Sequence, residues 1–163
     1  MSYIIMNSFV VAIIAILIYV YISYYYRYPE NIKVINAYEN NFNTTLLFEK
    51  QPIILLDNPY PTLTIAKQHI LPYLFSKNIE SIPLIWNKNP SKYLFITTDR
   101  EVEIHLLPAS KKLHHMQPSP DDVLITLQII PSQIVILPFH WHYYSATDLN
   151  ILGVNDYISW ALP

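Results

Sequence analysis

From Met1 to Tyr26 the chain carries no charged side chain, and from Phe9 to Val20 every residue is apolar. At 1.5 Å per residue, about 20 helical residues cross a hydrocarbon layer of about 30 Å. The segment therefore reads as one α-helix in contact with a lipid bilayer over residues 3–26. Tyr19, Tyr21, Tyr24, Tyr25, Tyr26 and Tyr28 crowd its C-terminal end, where amphipathic rings favour the headgroup region. Arg27 closes the run. A buried core helix is usually shorter and keeps a polar face, and a cleaved signal peptide has a basic start and a small-x-small cleavage site; neither pattern is present. Arg27 and Lys33 follow the segment and only the amino terminus precedes it, which favours a single-pass membrane protein with a cytosolic C-terminal domain. Asn43-Thr44-Thr45 is a glycosylation sequon, and its modification would reverse that orientation.

Behind the anchor, assigned to residues 1–27, a polar linker is expected over 28–45, including a helical turn, and one folded β domain over 46–163. That length suffices for one core and is short for two. With 10 basic and 12 acidic residues the formal net charge is −2, too little field to recruit nucleic acid, so no nucleic-acid partner is expected. The absence of cysteine excludes disulfides, thiolate catalysis and cysteine-ligated zinc. A single glycine among 13 prolines leaves turns to Asn, Asp, Ser and Pro and cannot build a phosphate loop. The abundance of Ile, Asn, Tyr and Lys suits an AT-rich genome, such as that of a large DNA virus or a parasite.

Pro52 to Leu56 reads as a buried strand, and Thr64 to Lys77, with Ile65, Ile70, Leu71, Leu74 and Phe75 at helical spacing, as an amphipathic helix that Pro72 kinks. Strands follow at Tyr93–Thr97, Val102–Leu107, Val123–Ile130, Gln133–Leu137, Tyr143–Ser145 and Asn150–Ile158. Short runs at this spacing point to a sandwich or a barrel.

Several of these runs resemble one family. Ile134-Val135-Ile136-Leu137-Pro138-Phe139-His140-Trp141-His142-Tyr143, then Asn150-Ile151-Leu152-Gly153-Val154-Asn155, with Glu103 to Pro108 and Phe48 to Leu55 upstream, resemble the cupin-like domains of the JmjC type. The resemblance covers about 110 residues, from Phe48 to Trp160. It implies a mainly β fold, a double-stranded β-helix (jelly-roll) barrel with a few flanking helices, the scaffold of iron(II)- and 2-oxoglutarate-dependent hydroxylases. In that family two histidines and one carboxylate hold the metal on one face. His142 matches the last ligand, and Trp141 beside it closes the barrel wall. The other two ligand positions, counted back from Pro108, fall on Asn87 and Asn89, and Val102 stands where a lysine grips the co-substrate. No His-x-Asp or His-x-Glu occurs in the chain. The resemblance therefore implies the fold and argues against the reaction.

His140 and His142, two apart, would share a face on a regular strand and are the candidate metal ligands; a wall histidine bonded to a backbone carbonyl is the commoner arrangement. Glu101, Glu103 and His105 alternate as on a solvated strand face, His114-His115 beside Lys111-Lys112 reads as a loop, and Asp121-Asp122 as support for the turn after Pro118-Ser119-Pro120. The expected function is a membrane-anchored, catalytically inactive cupin-like module with a structural or binding role, needing no cofactor, catalytic residue or bound metal. A protein partner would meet the Tyr-rich neck or an aromatic mouth made of Trp86, Trp141, Tyr143 and Tyr144. The alternatives are an oxygenase using Fe(II) and 2-oxoglutarate through His142 and a non-standard site, and a small-molecule or carbohydrate-binding barrel.

Overall fold

The computed structural model describes residues 2–57, 64–65 and 75–161, and the side chains of these except 2–8, 158 and 161. Helix α1 (Ser2–Tyr25) leads into β1 (Ile35–Tyr38), a 3₁₀ turn (Glu39–Asn41), α2 (Thr44–Phe48) and β2 (Ile53–Leu56). Then come β3 (Phe75–Ile79), β4 (Asn87–Lys88), β5 (Tyr93–Thr97), β6 (Val102–Leu107) and β7 (Ile125–Ile129). The chain ends with β8 (Ile134–Pro138), β9 (His142–Ser145), β10 (Asn150–Asn155) and helix α3 (Tyr157–Ala161).

The strands form two sheets, ordered β1-β2-β8-β5-β10-β3 and β4-β9-β6-β7. Within β3 to β10, the first, third, sixth and eighth strands share one sheet, and the second, fourth, fifth and seventh the other. That alternation is the double-stranded β-helix. β2 adds to β8 antiparallel and β1 to β2 parallel, widening the larger sheet beyond the eight-strand motif.

Side-chain period follows from what covers each face. In β6, Val102, Ile104 and Leu106 point between the sheets, and Glu103 and His105 point away from them. β5 and β8 do not alternate, because both of their faces are covered. Leu94, Ile96, Val135 and Leu137 fill the barrel, whereas Tyr93, Phe95, Ile134 and Ile136 join a second core under Ala37, Phe42 and Leu47. A continuous apolar run is the signature of such a doubly covered strand. Trp141, 1 % exposed, seals the barrel interior as expected of it.

Gly153 has no room for a side chain. A Cβ built there would stand 2.5 Å from both Ile79 Cδ1 and Ser91 Oγ, the first on the neighbouring strand β3.

Three expectations from sequence give way. The supposed linker contains β1, because Ile35 and Ala37 find apolar partners beside β2. The helix expected over Thr64–Lys77 is helical at Thr64 and Ile65, but Phe75 to Lys77 belong to β3, paired with β10; residues 66–74, Pro72 among them, lie outside the described residues. The last strand stops at Asn155. There Asp156 accepts from Ser159 N at 2.7 Å while Ser159 Oγ accepts from Asp156 N at 2.9 Å, a reciprocal cap that starts α3.

α1 is apolar on all sides: Phe9, Val11, Ile14, Leu17 and Val20 are each exposed. Its described apolar stretch, 12 residues from Phe9 to Val20, measures about 18 Å, short of the span expected over residues 3–26. Among the described residues no helix is long and apolar enough to cross a membrane.

Replacing Trp141 with alanine is expected to cost about 3–5 kcal/mol, and Gly153→Ala about 1–3 kcal/mol through overpacking. Urea unfolding of each variant measures both; unchanged midpoints would contradict this packing.

Candidate functional site

The residues that the resemblance singled out lie on adjoining segments at one end of the barrel. Asn87 pairs with Tyr143 and Lys88 with His142 across β4 and β9. Asn89 N donates to Trp141 O at 2.8 Å, and His140 N donates to Asn89 O at 3.1 Å. The register counted from sequence thus puts Asn87, Asn89 and His142 at one end of the barrel.

What stands there is committed to structure. Asn89 is fully buried; its Nδ2 donates to Leu137 O at 2.9 Å and Pro138 O at 2.7 Å, and its Oδ1 accepts from Ser91 N at 2.8 Å. The amide matches this triad because it has two N–H donors and a carbonyl. A carboxylate would set negative oxygen against two carbonyl oxygens. Asn87 Nδ2 donates to Ile82 O at 2.9 Å and Ile85 O at 3.0 Å, holding the preceding loop. Val102 is 6 % exposed and packs within the barrel.

The two histidines do not share a strand face. His140 lies before β9 in a left-handed turn with φ 65°, its ring stacked on Phe139. Its Nδ1 meets Tyr28 OH at 2.8 Å. His142 opens β9, is 8 % exposed, and its buried Nδ1 has no hydrogen-bond partner among the described residues. Burial first, then the Lys88 and His142 charges, lower the His140 pKa from 6.5 to about 4. Burial and Lys88 lower that of His142. Both rings are therefore neutral at pH 7. Among the described residues no group of three or more His, Asp or Glu is placed to hold a metal.

The remaining candidates separate. Glu103 and His105 lie on the outer face of the smaller sheet, His105 Nε2 at 3.1 Å from Glu103 and Nδ1 at 3.0 Å from Thr126 Oγ1. Asp122 accepts from Ser119 N and pairs with Lys111, bracing its turn. His114 and His115 are exposed. Of the four aromatic residues assigned to a mouth surface, Trp141 and Tyr143 are 1 % exposed and belong to the core; Trp86 and Tyr144 pack on each other at partial exposure.

A second cluster, invisible to the sequence reading, fastens α1 to the barrel. Pro29 ends any continuation of the helix, and Lys50 caps its C-terminus: Nζ donates to Tyr24 O, to Tyr25 O at 2.9 Å and to Arg27 O at 2.8 Å. Tyr24 O also accepts from Arg27 N at 3.2 Å, and an ammonium at this end complements the helix dipole. Burial, with Lys92 and Arg27 nearby, lowers the Lys50 pKa to about 8, so it still carries its proton at neutral pH. Tyr21 OH donates to Asp156, whose carboxylate meets Lys92 Nζ at 2.5 Å. Burial pushes the Asp156 pKa up, and hydrogen bonds from Lys92, Tyr21 and Ser159 outweigh it, holding the group at about 2. Tyr25, 5 % exposed, packs against Phe139 with ring centroids 4.4 Å apart and planes tilted by 41°. The Tyr-rich neck is thus partly consumed in docking: Tyr25 is buried and Tyr21 and Tyr28 are half-buried, whereas Tyr19, Tyr24 and Tyr26 stay exposed. Between helix and barrel remains a cavity of about 120 Å³, lined by Tyr25, Tyr28, Lys50, Tyr93, Phe139 and Trp141 among others. The crowding of tyrosines was legible in the sequence; Lys50, Lys92 and Asp156, scattered over 106 positions, gave no signal.

Strand order and interior packing define a cupin-like, double-stranded β-helix domain. No known family's sequence profile matches the chain, and no curated protein does. Among solved structures it is similar to RmlC from Streptococcus suis, determined in complex with dTDP-D-xylose, at 15 % identity over 64 % of this chain and 52 % of that one, with a TM-score of 0.33. The chain thus spans about half the length of that structure. So low a score adds nothing to the topology, on which the fold assignment rests.

Two outcomes are expected. Asn89→Ala removes the amide bonds to Leu137 O, Pro138 O and Ser91 N, at about 1–3 kcal/mol for each group left unpaired where water does not reach. Protonation of His140 is depressed in the folded chain, so between pH 6.5 and about 4 the unfolded state binds more protons and stability falls as pH falls. Urea midpoints measured across that window should decline, and less steeply in His140→Gln; a flat profile for the unsubstituted chain would contradict this burial.

Proposed function

We propose that the chain is a non-catalytic cupin-like module held at a lipid bilayer by α1, with a structural or binding role there. The observation that carries the non-catalytic half is the use of Asn89: its two amide N–H groups bond the carbonyls at the end of β8 and its Oδ1 takes Ser91 N, at the position that the resemblance matches to a metal ligand. An interior filled by Leu94, Ile96, Ile104, Leu106, Val135 and Leu137 supports the same reading, because a substrate needs the volume they occupy.

The membrane half is supported by α1 itself. Its backbone runs 24 residues, Ser2 to Tyr25, about 36 Å at 1.5 Å each, and its sequence carries no charge. A helix that is apolar all round and uncovered by its own domain needs another apolar medium. With Arg27 and Lys33 just beyond the helix, the positive-inside tendency favours a cytosolic barrel.

Alkaline carbonate extraction of membranes from cells producing the full chain, followed by metal analysis of detergent-purified protein, tests both halves. The expected outcome is retention in the membrane pellet and less than stoichiometric iron. Release into the supernatant would overturn the anchor, and one iron per chain would overturn the non-catalytic assignment.

A further inference from the structure

The exposed aromatic residues of the described barrel do not scatter evenly. Phe75 on β3 stacks on Trp160 of α3 at 5.5 Å between ring centroids, and Tyr157 meets Phe75 edge-on at 4.9 Å. All three are exposed, Trp160 by 66 %. Such rings stripped of cover are uncommon on a surface facing only water. Trp and Tyr are the residues enriched where hydrocarbon gives way to headgroups.

Their height relative to α1 is fixed by hydrogen bonds. Asp156, whose side chain caps α3, accepts from Tyr21 OH and pairs with Lys92. Tyr21 lies four residues, about 6 Å along the axis, before Tyr25, where the helix ends. α3 therefore sits beside the last turns of α1, at the level of the tyrosines, not beyond them. An open groove of about 770 Å³ runs along β3 here, lined by Phe75, Lys77, Pro90, Asn155 and Trp160 among others. It combines apolar rings with the Lys77 ammonium, two residues from Phe75, and with the Glu80 carboxylate past the far end of β3; ring and ammonium side by side suit an acyl–headgroup boundary carrying phosphates.

Resting on the membrane-anchored reading, we propose that Phe75, Tyr157 and Trp160 form a second membrane contact, seated in the headgroup region of the bilayer that holds α1, with Lys77 facing lipid phosphate. The barrel then does not swing on a tether. It lies against the membrane on its β3 edge, and the opposite edge, where β1 adds to β2, faces away. The contact also covers an edge strand, whose unpaired backbone groups would otherwise invite pairing with another chain.

The full chain reconstituted in phosphatidylcholine vesicles, with and without lipid brominated near the headgroup end of the acyl chain, tests this through tryptophan fluorescence. Trp141 is buried and Trp86 lies on the smaller sheet's side, so Trp160 is the residue within reach of bromine. Quenching is expected in the unsubstituted chain and in Trp86→Phe, with most of it lost in Trp160→Phe. Because Trp160 is exposed, its replacement leaves folding intact, which an unchanged thermal midpoint confirms. If the chain resists carbonate extraction while Trp160 emits as in water and is not quenched, the second contact is wrong and the anchor stands. If the chain leaves the vesicles on extraction, both are wrong.

Discussion

A double-stranded β-helix has one interior, and the side chains that point into it either fill it or furnish a site. In this chain they fill it. Leu94, Ile96, Val102, Ile104, Leu106, Leu127, Ile129, Val135 and Leu137 come from four strands of both sheets and close on Trp141 and Tyr143. Everything at the mouth follows from that choice. With aliphatic side chains beneath, β4 needs a residue that seals the barrel end, and Asn89 does so by bonding the last carbonyls of β8. Asn89 is a structural joint between the two sheets at this end of the barrel.

A second core gives the fold its width. The outer face of the larger sheet is covered by the segment between α1 and β2, where Ala37, Phe42 and Leu47 pack on Phe95, Ile134 and Ile136. The same segment carries Lys50, so the side chains that cover the sheet lie next to the one that caps α1. Helix and barrel are thereby coupled through tyrosine rings, one capping lysine and the partly buried Lys92–Asp156 pair. A pair this sheltered, with a tyrosine hydroxyl completing it, is screened far less than a surface salt bridge.

Much of this was legible in the sequence, and the failures have physical causes. β5 and β6 were read at their observed bounds because their apolar runs end at turn residues, Thr98-Asp99-Arg100 and Pro108. Asn87, Asn89 and His142 were singled out by the resemblance to the JmjC-type domains, the two asparagines counted back from Pro108. β4 was missed because two residues make no period. β1 was hidden by polar neighbours, since Asn36 and Tyr38 face outward while Ile35 and Ala37 meet the core. Phe75 at helical spacing from Leu71 suggested a helix, but pairing with β10 overrode it. His140 and His142 looked like neighbours on one face; the left-handed turn at His140 sends its ring to Tyr28 instead. The docking of α1 could not be foreseen, because its partners are single residues far apart in the chain.

The claim at the centre is that the barrel is solid through to its mouth. Native-state hydrogen exchange measures this most directly, since amides that open only with the whole domain exchange at its global unfolding free energy. A filled interior and the Asn89 joint predict that the amide of Asn89, bonded to Trp141 O, is protected as strongly as those of β5 and β6. Exchange at Asn89 through a separate, lower-energy opening, with β5 and β6 still protected, would mean that the mouth works as an accessible site and would contradict the account.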